Sequence, residues 1–374
     1  MTDTVFDFAV IGAGIAGASI AAELAEHASV LVLEAEDAPG YHSTGRSAAF
    51  WDECYGGPGV VPLTLASGEY LHDHGFLRES GALYIGRAQD KPQMDEFLRA
   101  YADTGVTIER LGREEIEARV PNTREEWRDA IWEPACANID VAGLHQHYIK
   151  TLKTHGAQLV CRARVCALGR DNGVWSIETQ AGDTYRAASV VNAAGAWADD
   201  LAVMAGAQPL GIKPYRRTVA QLRVAPDAPD TLPLVIDING GFYFKSDNGR
   251  LWLSPHDEIA TVPCDAAPEE IDVAIAIDRF QSATHWPIEA VERRWAGLRS
   301  FSPDRLPVYG PDPQIEGFVW FAGQGGYGIQ TSPAAARLGA QLALGLERDA
   351  MTAPIDAGPY SPARYHSERR AKVG

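Results

Sequence analysis

Val5-Phe6-Asp7-Phe8-Ala9-Val10-Ile11-Gly12-Ala13-Gly14-Ile15-Ala16-Gly17 runs from a short apolar, β-rich segment straight into three glycines spaced Gly-x-Gly-x-x-Gly. Ala18 to Glu26 continues as an Ala-rich helix. Ser29-Val30-Leu31-Val32-Leu33 then reads as a second strand, almost wholly apolar as a buried parallel strand is. This order of strand, glycine loop, helix and strand predicts a Rossmann-like α/β unit. Gly12 permits the tight turn, Gly14 lets backbone N–H groups approach a pyrophosphate, and Gly17 lets helix and strand pack closely. The helix N-terminus presents positive potential to the phosphates. Glu34 ends the second strand 20 residues after Gly14, where a carboxylate can accept both ribose hydroxyls of an adenosine and selects an unphosphorylated ribose, as in FAD or NAD.

The following segment favours FAD. Ala38-Pro39-Gly40-Tyr41-His42-Ser43-Thr44-Gly45-Arg46-Ser47-Ala48-Ala49 is rich in small and hydroxyl residues and is expected to open another helix. NAD folds proceed directly to a further βα unit, whereas such a loop suits a second contact with a long, extended FAD. Two distant segments agree. Ser189 to Ala198 is a buried strand that enters a Gly turn, and Gly317 to Gly323 is another strand. It is followed by Gln324-Gly325-Gly326-Tyr327-Gly328-Ile329-Gln330-Thr331-Ser332-Pro333, which opens a last long helix to about Leu346. Backbone amides at that helix start suit the flavin N1–C2=O edge, where negative charge develops on reduction.

The chain has 374 residues, which predicts two domains at about 100–200 residues each. Its 33 Lys+Arg against 50 Asp+Glu leave a net charge of −17, which argues against nucleic-acid and anionic-lipid partners. The longest apolar stretch, Phe8 to Ala22, is shorter than the ~20 residues of a membrane span. Met1-Thr2-Asp3-Thr4 lacks the positive start of a signal peptide. Five cysteines, without a Cys-x-x-Cys pair, are expected to be buried thiols in a reducing cytoplasm. Ser367 to Gly374 reads as a basic, frayed tail.

Pro39 to Ala49, Asn192-Ala193-Ala194-Gly195-Ala196-Trp197, Trp295-Ala296-Gly297-Leu298-Arg299-Ser300-Phe301 and Gln324 to Ser332 resemble the D-amino acid oxidase family of FAD oxidoreductases. That family includes sarcosine, glycine and D-amino acid oxidases and dehydrogenases, and the bacterial D-arginine and D-amino acid dehydrogenases are most alike. The resemblance implies a Rossmann-like FAD domain of the glutathione-reductase type, from residues 1–75, 140–205 and 300–374. An interleaved α+β substrate domain on a mainly antiparallel sheet would come from residues 76–139 and 206–299. It implies FAD contacts from Gly12, Gly14, Ile15, Ala16, Gly17 and Glu34, and from His42, Ser43, Thr44, Gly45, Arg46, Ser47, Ala48 and Ala49. Val165, Ala194, Gly195, Trp197, Gly297, Gly325, Gly326, Tyr327, Gly328, Ile329, Gln330 and Thr331 complete that set. The implied activity is oxidative deamination of a D-amino acid by hydride transfer from Cα to flavin N5, with oxygen, a quinone or a dye-like compound as electron acceptor. Oxidation of an N-methyl amino acid, glycine or a 2-hydroxy acid is the alternative reading, and a non-catalytic flavoprotein is a second.

Such chemistry must fix a substrate carboxylate, which arginine does best with its planar, permanently charged fork. Arg299, flanked by Leu298 and Phe301, is one candidate, and Arg216 or Arg217, entering an apolar strand, the other; the resemblance favours Arg217. By the same resemblance Tyr55 and Tyr243 line the pocket and orient the carboxylate, while Gly297, Gly326 and Gln330 lie near the flavin and the substrate amine. Gly241 to Lys245, a turn at Asp247-Asn248-Gly249, and Leu251 to Leu253 make a hairpin with Phe242 and Phe244 on one face, and Tyr243 and Lys245 on the other. The arginine enzymes have a glutamate on the strand that here reads Gly81-Ala82-Leu83-Tyr84-Ile85-Gly86, and a histidine where this chain has Phe50. Both changes favour a neutral or apolar substrate side chain, while Asp52 and Glu53 offer another hold on a basic one. No metal is expected: His72/His74 and His145/His147 sit two apart on helices and point apart. The FAD is expected to be non-covalent, since no cysteine follows Cys264 and His42 reads as a loop residue beside the flavin.

Overall fold

The structure, a computed structural model, describes residues 4–366; the basic tail at Ser367–Gly374 lies outside them. Val5–Ile11, Val30–Leu33, Gln158–Val160, Thr184–Asn192 and Phe318–Ala322 form the parallel centre of an eight-stranded sheet. Val165–Asp171, Val174–Thr179 and Val308–Pro311 extend it as antiparallel strands. The first helix, Ile15–Ala25, is apolar almost all round because it is enclosed: it packs on Val141–Thr154 and Ser332–Leu344. Gly12, Glu34 and Ala193 follow the C-terminal ends of three adjacent parallel strands, where open α/β sheets bind their ligands.

A ten-stranded, mainly antiparallel sheet lies on the other side of this edge. Its longest pair, Lys213–Val224 and Ile288–Phe301, sets Arg217 opposite Gly297 and Tyr215 opposite Arg299. Residues directly across an antiparallel pair share a face, so register alone puts Arg217, Gly297 and Arg299 together. Arg216 falls on the other face, where it bonds Glu269 and, at 2.8 Å, Asp272 of the helix Glu270–Ala283. The predicted hairpin forms from Tyr243–Asp247 and Arg250–Ser254, closed by Asn248 and Gly249 at φ 50° and 75°. Phe244 packs edge-on against Phe280 of that helix, while Tyr243 and Lys245 turn to the opposite face.

Two expectations are corrected. Residues 38–49 are a chain of turns that feeds the short Phe50–Trp51 strand, not a helix. Gly40 takes φ +80° and its carbonyl accepts the Gly45 N–H at 2.8 Å, which folds the segment back on itself. All five thiols are free, but only Cys54 and Cys136 are buried; Cys166 is exposed on an outer strand. No helix among the described residues is long and apolar enough to cross a membrane.

Candidate active site

A cavity of about 700 Å³ runs from the parallel strand ends to the ten-stranded sheet. Its first wall is the glycine loop. Gly12 adopts φ +103°, and a Cβ there would lie 2.6 Å from the Ala193 carbonyl; a Cβ on Gly17 would lie 1.8 Å from the Gly12 carbonyl. Backbone N–H groups at the helix start are thereby brought to the groove, where the Thr44 hydroxyl accepts that of Ile15 at 2.9 Å. Glu34 lines the same groove, its two oxygens accepting the Ala13 and Glu36 N–H groups at 2.8 and 2.9 Å. Each oxygen keeps a lone pair for a ribose hydroxyl. His42 meets Glu36 at 3.1 Å and packs on Trp197. The Ser43 hydroxyl donates to the Leu298 carbonyl at 2.7 Å, so the turn segment is tied to the second sheet.

At the far end stand Arg217, Val219, Tyr243 and Arg299. Arg217 is 3% exposed. Its Nε donates to the Asp257 carbonyl at 2.5 Å and Nη2 to Glu258 at 3.2 Å, while Nη1 has no partner. The buried Tyr243 hydroxyl is unpartnered as well. Arg299 Nη1 donates to the Tyr55 hydroxyl at 2.6 Å, directly over Gly326, where a Cβ would touch both groups. Burial and the nearby Arg299 charge lower the Arg217 pKa to about 10, so both guanidinium groups are charged at neutral pH. Two cations and two unpartnered donors thus stand together at this end, a donor set whose chemistry suits an anion.

His256, which sequence reasoning did not single out, stands edge-on to Tyr243 with ring centroids 5.6 Å apart. Burial, then the charges of Arg217 and Arg299, hold its pKa down to about 2. The folded imidazole stays neutral while the unfolded one takes a proton below pH ~6.5. The unfolded state therefore binds more protons in that window, and this residue's contribution to stability falls as pH drops below ~6.5. His256→Gln is expected to lose less melting temperature between pH 7 and pH 5 than the parent protein; an unchanged difference in thermal melts refutes the assignment.

Most of the expected residues line the cavity: Gly12, Gly14, Ile15, Ala16, Glu34, His42, Ser43, Thr44, Arg46, Ser47, Ala48, Val165, Ala194, Gly195, Trp197, Gly297, Gly325, Gly326, Gly328 and Ile329. Gly17, Gly45, Ala49, Tyr327 and Thr331 do not; they shape its walls from behind. The Tyr327 carbonyl, for instance, accepts the Thr331 hydroxyl at 2.8 Å, and the Ala49 carbonyl meets Lys245 Nζ at 3.4 Å. Tyr55, expected to line the pocket, is not among the lining residues either and meets the site through its hydroxyl, which accepts from Arg299. Phe50 also stands behind the wall, edge-on to Tyr55 and Tyr243. Gln330 is 1% exposed and wholly engaged inside, donating to the Asp52 carbonyl at 3.1 Å and the Thr64 hydroxyl at 2.9 Å, so it does not face a substrate. Asp52 is completely buried with its carboxylate taken by Tyr84 and Cys54, which removes it as a hold on a basic side chain. Sequence reasoning missed Arg164, Cys166 and Gln180 at the groove's outer end, and Glu258, which braces Arg217 and Arg305. No local pattern marks these residues. His145 and His147 bond different partners, the Ala13 carbonyl and the Tyr70 hydroxyl.

Fold and groove together define a dinucleotide-binding oxidoreductase. Residues 7–342 match the model of the FAD dependent oxidoreductase family (DAO), and the chain belongs to that family; its cofactor is FAD. The chain is 24% identical over 426 residues to the hydrogen cyanide synthase subunit HcnC of Pseudomonas aeruginosa, covering 98% of each. It is 26% identical over 373 residues to the glycine oxidase of the same organism, covering 95% of this chain and 98% of that one. Among solved structures, the L-proline dehydrogenase of P. horikoshii superposes with a TM-score of 0.83 at 24% identity, covering 97% of this chain and 98% of that one. These relatives support the family rather than its D-arginine branch in particular. The groove fits FAD: Gly14 and the Ile15–Ala25 helix start would hold its pyrophosphate, Glu34 its ribose, and the Gly325–Ile329 segment its flavin.

Proposed function

We propose that this oxidoreductase deaminates a small neutral D-amino acid or glycine, giving an imino acid that water converts to a 2-oxo acid and ammonia. The observation that carries the reading is the pair of buried, unpartnered donors, Arg217 Nη1 and the Tyr243 hydroxyl, beside Arg299. A carboxylate would pair with them and with the Arg299 fork. Bound FAD would supply the acceptor for the Cα hydride. The chain's own part is aim and exclusion of water. Arg217 and Arg299 hold the carboxylate, Tyr55 and Tyr243 orient it, and the Gly297 and Gly326 backbone leaves room for the amine. No side-chain base is invoked: the substrate ammonium loses a proton to water, and the amine lone pair then forms the C=N bond as hydride departs. A neutral side-chain preference is supported by Val219 in the wall, by Phe50 and Tyr84 behind it, and by the withdrawal of Asp52 into the core. The name of the glycine oxidase relative supports a small amino acid as substrate.

The test is anaerobic mixing of the FAD-loaded protein with D-amino acids, L-amino acids, glycine and 2-hydroxy acids, following flavin bleaching and ammonia. Bleaching with ammonia release from small neutral D-amino acids or glycine is expected. Bleaching by 2-hydroxy acids alone, without ammonia, refutes the reading and selects the hydroxy-acid alternative. Turnover with oxygen, and then with a quinone or dye, identifies the electron acceptor.

A further inference from the structure

Asp52 and Glu133 are two acids in a place that should reject them. Both are completely buried. The groups that act most strongly on them are each other, Glu53, Tyr84 and the neighbouring backbone, and none is a cation. One carboxyl oxygen of each and the Cys54 sulfur lie within 4.8 Å of one another, close enough for the two carboxyls to share a proton. A bond between two carboxyls requires one proton, and the surrounding donors decide where it sits. Asp52 accepts on both oxygens, from the Cys54 N–H at 2.8 Å and the Tyr84 hydroxyl at 2.6 Å, which suits the ionised form. Glu133 Oε1 accepts the Glu53 N–H at 2.7 Å, but its buried Oε2 is satisfied only if it bears the proton. Burial and the Asp52 charge raise the Glu133 pKa well above the carboxylate range. Of the other titratable groups facing the pair, Tyr84, Cys54, Tyr101 and Cys136 are held neutral, chiefly by burial, and the Glu53 carboxyl is raised by burial and by the Asp52 charge. Lys245, which acts on Cys136, is bonded to the Asn138 side chain at 2.8 Å.

We propose that Glu133 is a protonated acid donating to the Asp52 carboxylate, and that this one-proton pair positions Tyr55 for the reaction. The link is the Asp52–Tyr55 turn. Its three successive N–H groups are all fixed: Glu53 by Glu133, Cys54 by the Asp52 carboxylate, and Tyr55 by the Asp52 carbonyl at 3.1 Å. The Cys54 carbonyl accepts the Tyr101 hydroxyl at 2.5 Å, and Gln330 clamps the Asp52 backbone from the other side. At the end of the turn, the Tyr55 hydroxyl accepts the bond from Arg299. The proposal rests on the reading of Arg299 and Tyr55 as the carboxylate clamp. Removing the pair should release the turn and misplace that hydroxyl.

The experiment compares Glu133→Gln, Glu133→Ala and Asp52→Asn in FAD-loaded protein, with kcat and KM beside the infrared carbonyl band of a buried carboxylic acid. The band is read without substrate. It is expected in the parent protein and absent from Glu133→Gln. Glutamine accepts from Glu53 and donates to Asp52 as the protonated acid does, so its KM should stay at the parent value. Glu133→Ala and Asp52→Asn should raise KM by about tenfold or more at unchanged flavin content, since small misplacements at a reacting centre have effects of up to ~100-fold. If Glu133→Ala does not fold, Asp52→Asn and the band decide. The proposal is overturned by a missing band, a band that survives Glu133→Gln, a glutamine variant as impaired as Asp52→Asn, or one equivalent of metal in the purified protein. Failure of the clamp reading looks different: the band is present, and Arg299→Met leaves KM unchanged.

Discussion

Arg299→Met is expected to lower kcat/KM by roughly 10²- to 10⁴-fold while the protein keeps its full complement of flavin. Arg299 stands at the end of the cavity with one nitrogen on the Tyr55 hydroxyl, and Arg217 shares its face of the sheet. A carboxylate in this space would be paired by both cations, and removing one leaves a desolvated anion short of a partner. Such losses cost about 3–5 kcal/mol, and each 1.36 kcal/mol is about tenfold in rate. The carboxylate is held alike before and during hydride departure, so most of the effect should fall on KM. Methionine matches the arginine stem in apolar bulk, so the substitution removes the charge and the fork without opening a large void. Arg299→Lys should recover part of the loss, since an ammonium restores charge without the planar fork. Steady-state kinetics with the substrate identified by flavin bleaching measures this, and unchanged saturation would remove Arg299 from the clamp.

The second large effect concerns the cofactor. Gly17→Ala places a Cβ 1.8 Å from the Gly12 carbonyl and 2.8 Å from its carbon. Both atoms are backbone in a turn already committed to φ +103°, so the first helix must move away from its strand. That helix packs on two others in the centre of the molecule. The displacement should destabilise by about 3 kcal/mol, the upper part of the range for overpacking, and abolish FAD retention. Gly14→Ala separates the two consequences. Gly14 has φ −69°, which alanine adopts freely, and its Cβ would lie 3.2 Å from the Thr44 hydroxyl, a side-chain atom. This variant should melt near the parent apoprotein yet bind FAD weakly, because the methyl would occupy space at the groove wall that the pyrophosphate is proposed to approach. Flavin absorbance per protein and thermal melts of the apoprotein distinguish the cases. Full flavin content in Gly17→Ala would contradict the structure.

The glycine loop, the second strand and Glu34 were legible because each rests on short-range rules: backbone sterics at Gly12, close packing at Gly17, and strand alternation. The hairpin at Asn248-Gly249 was readable for the same reason, since its turn needs two positive φ values and this dipeptide provides them cheaply. Segment 38–49, whose composition predicts the opening of a helix, forms turns instead. Its small residues fold through hydrogen bonds such as Gly45 to Gly40 and are anchored by Ser43 to Leu298, a residue distant in the chain. Phe50 and Gln330, expected in the pocket, brace the tyrosines and the Asp52 turn behind it.

By itself, the sequence determined a dinucleotide groove, a flavin-sized second contact and the arginines available for an anion. Which arginine faces the anion was decided by tertiary structure, through the pairing of Arg217 with Gly297 and the capture of Arg216 by Glu269 and Asp272. The fate of Asp52 was decided there too, by Glu133 and Tyr84 arriving from strands of the second sheet. The division has one physical cause. Backbone conformation follows from neighbours a few residues away, whereas a side chain's charge and direction depend on which distant groups share its burial.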